Sequence, residues 1–213
     1  MARIWSAWLP DLLPQLPGCP TVLVEHELKR AAQEFFSRTL AYKSVLAPVA
    51  VSALQSDVAI TPTDPEIELV RVEHVWYDGK ELPAVTAEKL SATYGDDWQS
   101  LNGSTVAYLQ DTAGTVRLFP IPANNSVIGL VCRASVKPSE SSTGIPDTLG
   151  VIYRDEITSG AKAKLMLYAE KPWTNIDHGA KHEQDFLNAI AKHHALAATG
   201  QGNSRVEGRK TWF

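Results

Sequence analysis

Between Thr21 and Leu40, the residues Leu23, Leu28, Ala31, Ala32, Phe35, Phe36 and Leu40 recur at helical spacing. Glu25, Lys29, Arg30, Glu34 and Arg38 occupy the other face. Such a half-hydrophobic helix has no stability of its own in water and must bury its stripe against other elements. The chain supplies those partners only after an interval of about a hundred residues. Leu149, Ile152, Tyr153, Ile157, Ala161, Leu165 and Tyr168 keep an approximate helical stripe from the Pro146-Asp147 start to Lys171, where Pro172 stops it. Gly160 within that stripe costs about 1 kcal/mol relative to Ala, which marks close packing. Asn175 or Asp177 then caps a last helix whose stripe is Phe186, Ile190, His193 and Leu196.

The interval reads differently. Val45 to Val51 and Val58 to Ile60 are short β-type runs broken by Pro48 and Pro62. Leu69 to Trp76 reads as a strand, Tyr77-Asp78-Gly79-Lys80 as a hairpin turn, and Glu81 to Val85 as the return strand. Thr86 caps a short helix from Ala87 to Tyr94 that Gly95 ends. Ser104 to Gln110 and Thr115 to Phe119 form a second hairpin, and Ser126 to Val136 is a long strand. The expected fold class is therefore α+β: a small antiparallel helical bundle with an inserted antiparallel β-module, plus extended N- and C-terminal arms. The expected segments are an arm over 1–20, a bundle from 21–43 and 146–198, a β-rich module over 44–145, and a tail over 199–213.

Pro10, Pro14 and Pro17 break the first twenty residues into an extended or turn-rich arm, too short in apolar run for a signal peptide. Its Trp5 and Trp8 either strap across the core or contact a neighbouring subunit. Tyr77 and Trp98 are two further candidates for inter-subunit or tail-facing contacts.

Lys and Arg number 20 against 24 Asp and Glu, a formal net charge of −4, which is unlike a dedicated nucleic-acid binder. No run of about 18 apolar residues exists, so no membrane span is expected. Cys19 and Cys132 are too far apart in sequence for a metal-type pair and read as small buried hydrophobes. His178 and His182 stand four apart, but zinc needs a third ligand, and Gly179 lies between them. Asp96-Asp97 and Asp155-Glu156 fall where exposed charges belong. No nucleophile elbow, phosphate loop or dinucleotide fingerprint is present. The expectation is a non-enzyme with no cofactor and no metal.

The tail is the most informative segment. Arg205, Val206, Arg209 and Lys210 lead to Trp212 and Phe213. Fifteen residues from Thr199 reach roughly 50 Å when extended. An aromatic pair on such an arm reads as a docking peptide whose rings fill a partner pocket while the basic residues meet an acidic rim.

Several pieces, in this order, resemble the tailed-phage head-to-tail adaptor proteins, also called connector or tail tubular A-like proteins. They are Leu9-Pro-Asp-Leu-Leu-Pro-Gln-Leu-Pro-Gly-Cys-Pro20, Leu28 to Thr39, Asp111 to Pro122, Pro146-Asp-Thr-Leu149, Pro172-Trp173 and the basic-aromatic stretch Arg205 to Phe213. The resemblance spans nearly the whole chain. It implies a helical bundle with an inserted β-domain, assembled as a ring of twelve copies beneath the portal protein. The C-terminal arm would grip the portal, and the other end would receive a tail nozzle or tail tube protein. Double-stranded DNA would pass through the lumen without specific binding during ejection. The place would be the virion neck, after synthesis in the bacterial host cytoplasm. A second reading is a ligand- or glycan-binding β-module on a helical stalk, with Tyr77, Trp98 and Tyr108 as its platform.

Overall fold

The computed structural model describes residues 2–112 and 114–199, and they fall into two units. One unit joins the described residues up to Ala41 with those from Ser142 onward; the other is Tyr42–Ser141. The fold class is α+β, as expected.

Three helices carry the first unit: Thr21–Thr39, Arg154–Met166 and Ile176–Thr199. The Thr21–Thr39 helix buries Val24, Leu28, Ala31, Ala32, Phe35 and Phe36, the stripe its spacing marks. Leu40 ends it in the left-handed region, and its N–H donates to the Phe36 carbonyl at 3.1 Å. Phe35 stands at the centre of the packing. Its ring centroid lies 5.5 Å from Phe36, 5.1 Å from Tyr153, 6.2 Å from Phe186 and 5.8 Å from His193. Aromatic pairs at these separations and tilts add stabilisation beyond the area they bury. The Asn175 carboxamide oxygen accepts from the His178 N–H at 3.1 Å and caps the last helix.

The stripe from Leu149 to Lys171 is not one helix. Asp147–Ile152 and Arg154–Met166 are separate, broken at Tyr153, whose φ is −109° and ψ 23°. The break lets the Tyr153 ring lodge against Phe35 and Phe36, while the Arg154 guanidinium reaches back to Asp11 at 2.7 Å. The second helix ends at Met166, five residues before the position expected, because Asn175 donates to the Met166 carbonyl and Glu170 turns the chain with φ +57°.

The N-terminal segment takes the turn-rich form rather than the extended one. Ala2–Ile4 pairs antiparallel with Gly144–Pro146, and Trp5–Trp8, Leu9–Leu12 and Leu13–Gln15 are successive short helical turns. Pro10 and Pro14 sit in the first two positions of their turns, where no backbone hydrogen bond is lost. This run buries Trp5, Trp8, Leu12 and Leu16 in its own unit.

The second unit is built on a five-stranded sheet. Ser126–Pro138 is flanked by Ile67–Tyr77 on one side and by Lys43–Val45 and Val49–Val51 on the other, and Lys80–Leu82 extends the sheet beyond Ile67–Tyr77. Asp78 and Gly79 both have positive φ, which closes the Tyr77–Lys80 hairpin at its shortest. A three-stranded sheet, Asp57–Ala59, Thr115–Phe119 and Ala107–Thr112, supplies Val58, Val116 and Leu118 to a core shared with Val72, Val75 and Leu130. A smaller cluster packs Leu90, Trp98, Leu109 and Phe119 beneath the Ala87–Tyr94 helix. One short parallel pairing, Asn102–Gly103 with Ile121–Pro122, interrupts the otherwise antiparallel ladders. Among the described residues no helix is long and apolar enough to cross a membrane.

Candidate interaction surfaces

The aromatic residues singled out from the sequence are mostly core. Trp8 is fully buried, and the Arg3 guanidinium lies 5.3 Å from its ring centroid. Trp5 is buried and its indole N–H donates to the Ser142 carbonyl at 2.9 Å. Both rings therefore serve the helical unit itself and present little surface to a neighbour. Trp98 is buried edge-on against Phe119, and Tyr108 belongs to the other cluster of the β-unit. Tyr77 is half-buried beside the hairpin turn. The three rings proposed as a glycan platform thus share no open face, because two of them fill separate cores. Arg205, Val206, Arg209, Lys210, Trp212 and Phe213 lie outside the described residues.

Burial pushes the Cys132 thiol up to about 12 and raises that of Cys19 as well, so both stay protonated near neutrality. Among the described residues no three His, Cys, Asp or Glu side chains converge as metal ligands. His178 and His182 instead line a groove of about 540 Å³ with Met166, Asn175, Lys181 and Asp185. Burial holds the His182 imidazolium below its ordinary range, and Lys162, His178 and Lys181 add to the depression against Asp185. The Ser159 hydroxyl lies 3.3 Å from His182 Nδ1. Lys181 and Asp185 give the groove one formal charge of each sign.

One exposed apolar feature went unread in the sequence. Ser126 pairs with Val51 and Leu130 with Val49, so Val127, Ile128 and Gly129 together face the single residue Ala50. This bulge throws Val127 and Ile128 outward, 89% and 68% exposed. It is held rather than loose. The Ser126 hydroxyl bonds the Asp78 carboxylate and accepts from the Gly129 N–H at 2.8 Å, and the Asp78 N–H donates to the Gly129 carbonyl at 3.2 Å. Gly129 has φ +60°, and a Cβ there would lie 1.9 Å from the Val49 carbonyl oxygen. A glycine following two apolar residues inside a strand pattern is the signal that could have located it.

A second exposed group lies at one end of the bundle. Val22 opens the first helix, Leu167 follows the Arg154–Met166 helix, and Ile176 opens the last, all exposed. The Tyr168 hydroxyl donates to the Glu27 carboxylate at 3.0 Å, and Leu167 packs against Gly179, which brings these three helix ends together.

Residues 8–208 match the SU10 adaptor protein family. The chain belongs to that family. It is a family of phage adaptors, which places the chain among phage structural proteins that associate with others of their kind. No curated protein matches the chain. The adaptor match begins at Trp8, within the first short helical turn, and runs across both units.

Proposed function

We propose that this adaptor is a structural ring component of a tailed-phage neck, with no catalytic role. Twelve copies would assemble beneath the portal, receive the tail nozzle or tail tube protein on the other side, and enclose the path of the double-stranded DNA. The segment carrying Arg205, Val206, Arg209, Lys210, Trp212 and Phe213 would dock on the portal, its aromatic rings as anchors and its cations at the rim. The carrying observation is the family match over residues 8–208, with the β-unit inserted between the first helix and the other two. The charge supports it: a formal −4, with a locally basic stretch at 205–210, leaves a body still more acidic, which binds passing phosphates weakly.

Deleting residues 202–213 tests the docking. The truncated chain should keep its helical unit, measured by thermal melting, and lose attachment to portal complexes in co-sedimentation and negative-stain imaging. Normal attachment would refute the docking segment, and imaging of the full chain with its portal would report the ring.

A further inference from the structure

Part of the β-unit is built from chain that carries no charge. Residues 44–56, 98–110 and 118–132 contain no Asp, Glu, Lys, Arg or His, in a protein of which 21% is charged. The fold laces these three runs together. Val49–Val51 pairs with the start of Ser126–Pro138, the Leu54 N–H donates to the Pro122 carbonyl at 2.9 Å, and the Ala53 N–H donates to the Asn125 side-chain oxygen at 2.7 Å. Asn102–Gly103 pairs with Ile121–Pro122, and the Val106 N–H donates to the Phe119 carbonyl at 2.8 Å. Exposed aliphatic side chains gather on these runs. Val127 and Ile128 stand out on their bulge, Leu54 is 67% exposed at a left-handed backbone position, and Val106 is 53% exposed. Among the described residues of the β-unit, Tyr94 is the one exposed large hydrophobic side chain outside them.

Two of the runs also share a hollow of about 270 Å³, lined by Ser104, Thr105, Asn124 and Asn125 together with Gly103 and Pro122. Asp78 is the one charged residue that lines it, and the Ser126 hydroxyl bonds its carboxylate. Apolar sheet ends that stay in water are ordinarily guarded by charged residues. An uncharged surface that combines exposed aliphatic side chains with hydrogen-bonding groups has instead the composition of a protein–protein contact. It offers nothing to DNA phosphates, which need clustered cations. Hydrogen bonds among Ser126, Asp78 and Gly129 fix the bulge beforehand, so little loop entropy is lost on docking.

We propose that this uncharged surface is where the tail nozzle or tail tube protein docks. An uncharged segment of that protein would cover Val127, Ile128 and Leu54 with apolar side chains and place polar groups in the hollow. The contact rests on the ring reading of this adaptor and gives its tail side a surface. Adaptors of this family associate with other phage structural proteins. The portal is met, in that reading, by the basic and aromatic stretch at 205–213, whose cations call for an acidic rim rather than a neutral one. Two copies joined through this same surface would make a two-fold pair, which does not close a ring.

V127D/I128D and L54N on the full chain test it. All three positions are exposed, and Asn tolerates the left-handed backbone at 54. On rings assembled with the portal, the purified tail nozzle or tail tube protein should bind V127D/I128D about tenfold or more weakly than the unaltered chain, and L54N with a smaller loss. Melting and portal attachment should not change. Binding to the unaltered chain should be nearly insensitive to salt, because no ion pair contributes to it. Normal binding of the tail protein to V127D/I128D rings, or binding that falls steeply with salt, would overturn the proposal and leave the ring standing. Loss of ring assembly itself in V127D/I128D would overturn it too, by assigning the surface to a second copy. If the unaltered chain joins neither the portal nor the tail protein, the ring reading falls and this contact with it.

Discussion

The Phe186 ring lies so close over Gly160 that a Cβ at that glycine would stand 2.7 Å from Cε2. Gly160 is therefore a point of close approach between the Arg154–Met166 and Ile176–Thr199 helices. Replacing it by Ala sets a helix-propensity gain of about 1 kcal/mol against overpacking of about 1–3 kcal/mol. The overpacking wins because the obstacle is a buried ring. G160A should lower the urea midpoint of the helical unit, and G160A/F186L should recover part of the loss. An unchanged midpoint for G160A would show that the ring can move aside.

Glu27 is 1% exposed, and two donors serve it: the Tyr168 hydroxyl at 3.0 Å and Arg30 Nη1 at 3.1 Å. The donors are unequal. Arg30 is more than half exposed and shares its charge with water, so R30A should cost under about 1 kcal/mol. Y168F removes a bond to a buried carboxylate and should cost about 1–2 kcal/mol. Chemical denaturation of both variants checks the order, and a larger loss for R30A would reverse the argument.

His182 gives the helical unit a pH dependence of known sign. Its imidazolium is disfavoured in the folded state by burial and by neighbouring cations, so its folded pKa lies below the unfolded value near 6.5. Its contribution to stability is fully present above that unfolded value and is lost as pH falls through the folded pKa. H182Q should flatten the fall in melting temperature between about pH 7.5 and about pH 5.

Burial holds Cys132 in its thiol form, up to about 12. In the folded protein neither Cys132 nor Cys19 should react with an aromatic disulfide reagent at neutral pH, and both should react once denaturant unfolds their units. Rapid labelling of Cys132 in the native protein would mean that the sheet around it opens on its own.

The Val127–Ile128 bulge separates stability from surface. V127S/I128S should leave melting of the β-unit within about 0.5 kcal/mol of the original, because both side chains already face water. G129A should unfold the unit or force the bulge to rebuild, because Cβ and the Val49 carbonyl cannot share the space. Circular dichroism on the two variants distinguishes these outcomes.

What the sequence revealed follows from how local each signal is. The Thr21–Thr39 helix, the Asp78-Gly79 turn and the Thr86-capped helix are each determined by residues a few positions apart and are legible to within a residue, whereas the return strand ends at Leu82 rather than Val85. The break at Tyr153 was invisible because it depends on Phe35 and Phe36, more than a hundred positions away. Trp98 reads from the sequence as a surface contact, and Trp5 and Trp8 as either a strap across the core or a contact to a neighbour, because aromatic residues among prolines and carboxylates carry no periodicity. Only the pairing of Ala2–Ile4 with Gly144–Pro146 and the Phe119 cluster show where those rings go. The groove escaped attention for a related reason. His178 and His182 read as possible metal ligands, whereas Met166, which lines the same hollow, comes from another helix.

The insertion of the β-unit also bears on how the chain folds. The Tyr42 carbonyl accepts from the Val136 N–H at 2.8 Å, and Lys43 pairs with Ser135, so the unit ties its own two ends together a few residues inside its limits. Until that happens, the Thr21–Thr39 helix must find its partner helices across a loop of about a hundred residues. Once the ends are tied, the effective loop is about ten, and the closure entropy falls by about 2 kcal/mol. The sheet then acts as a splint: pairing of Ser126–Pro138 with Lys43–Val45 shortens the search that the helices must make.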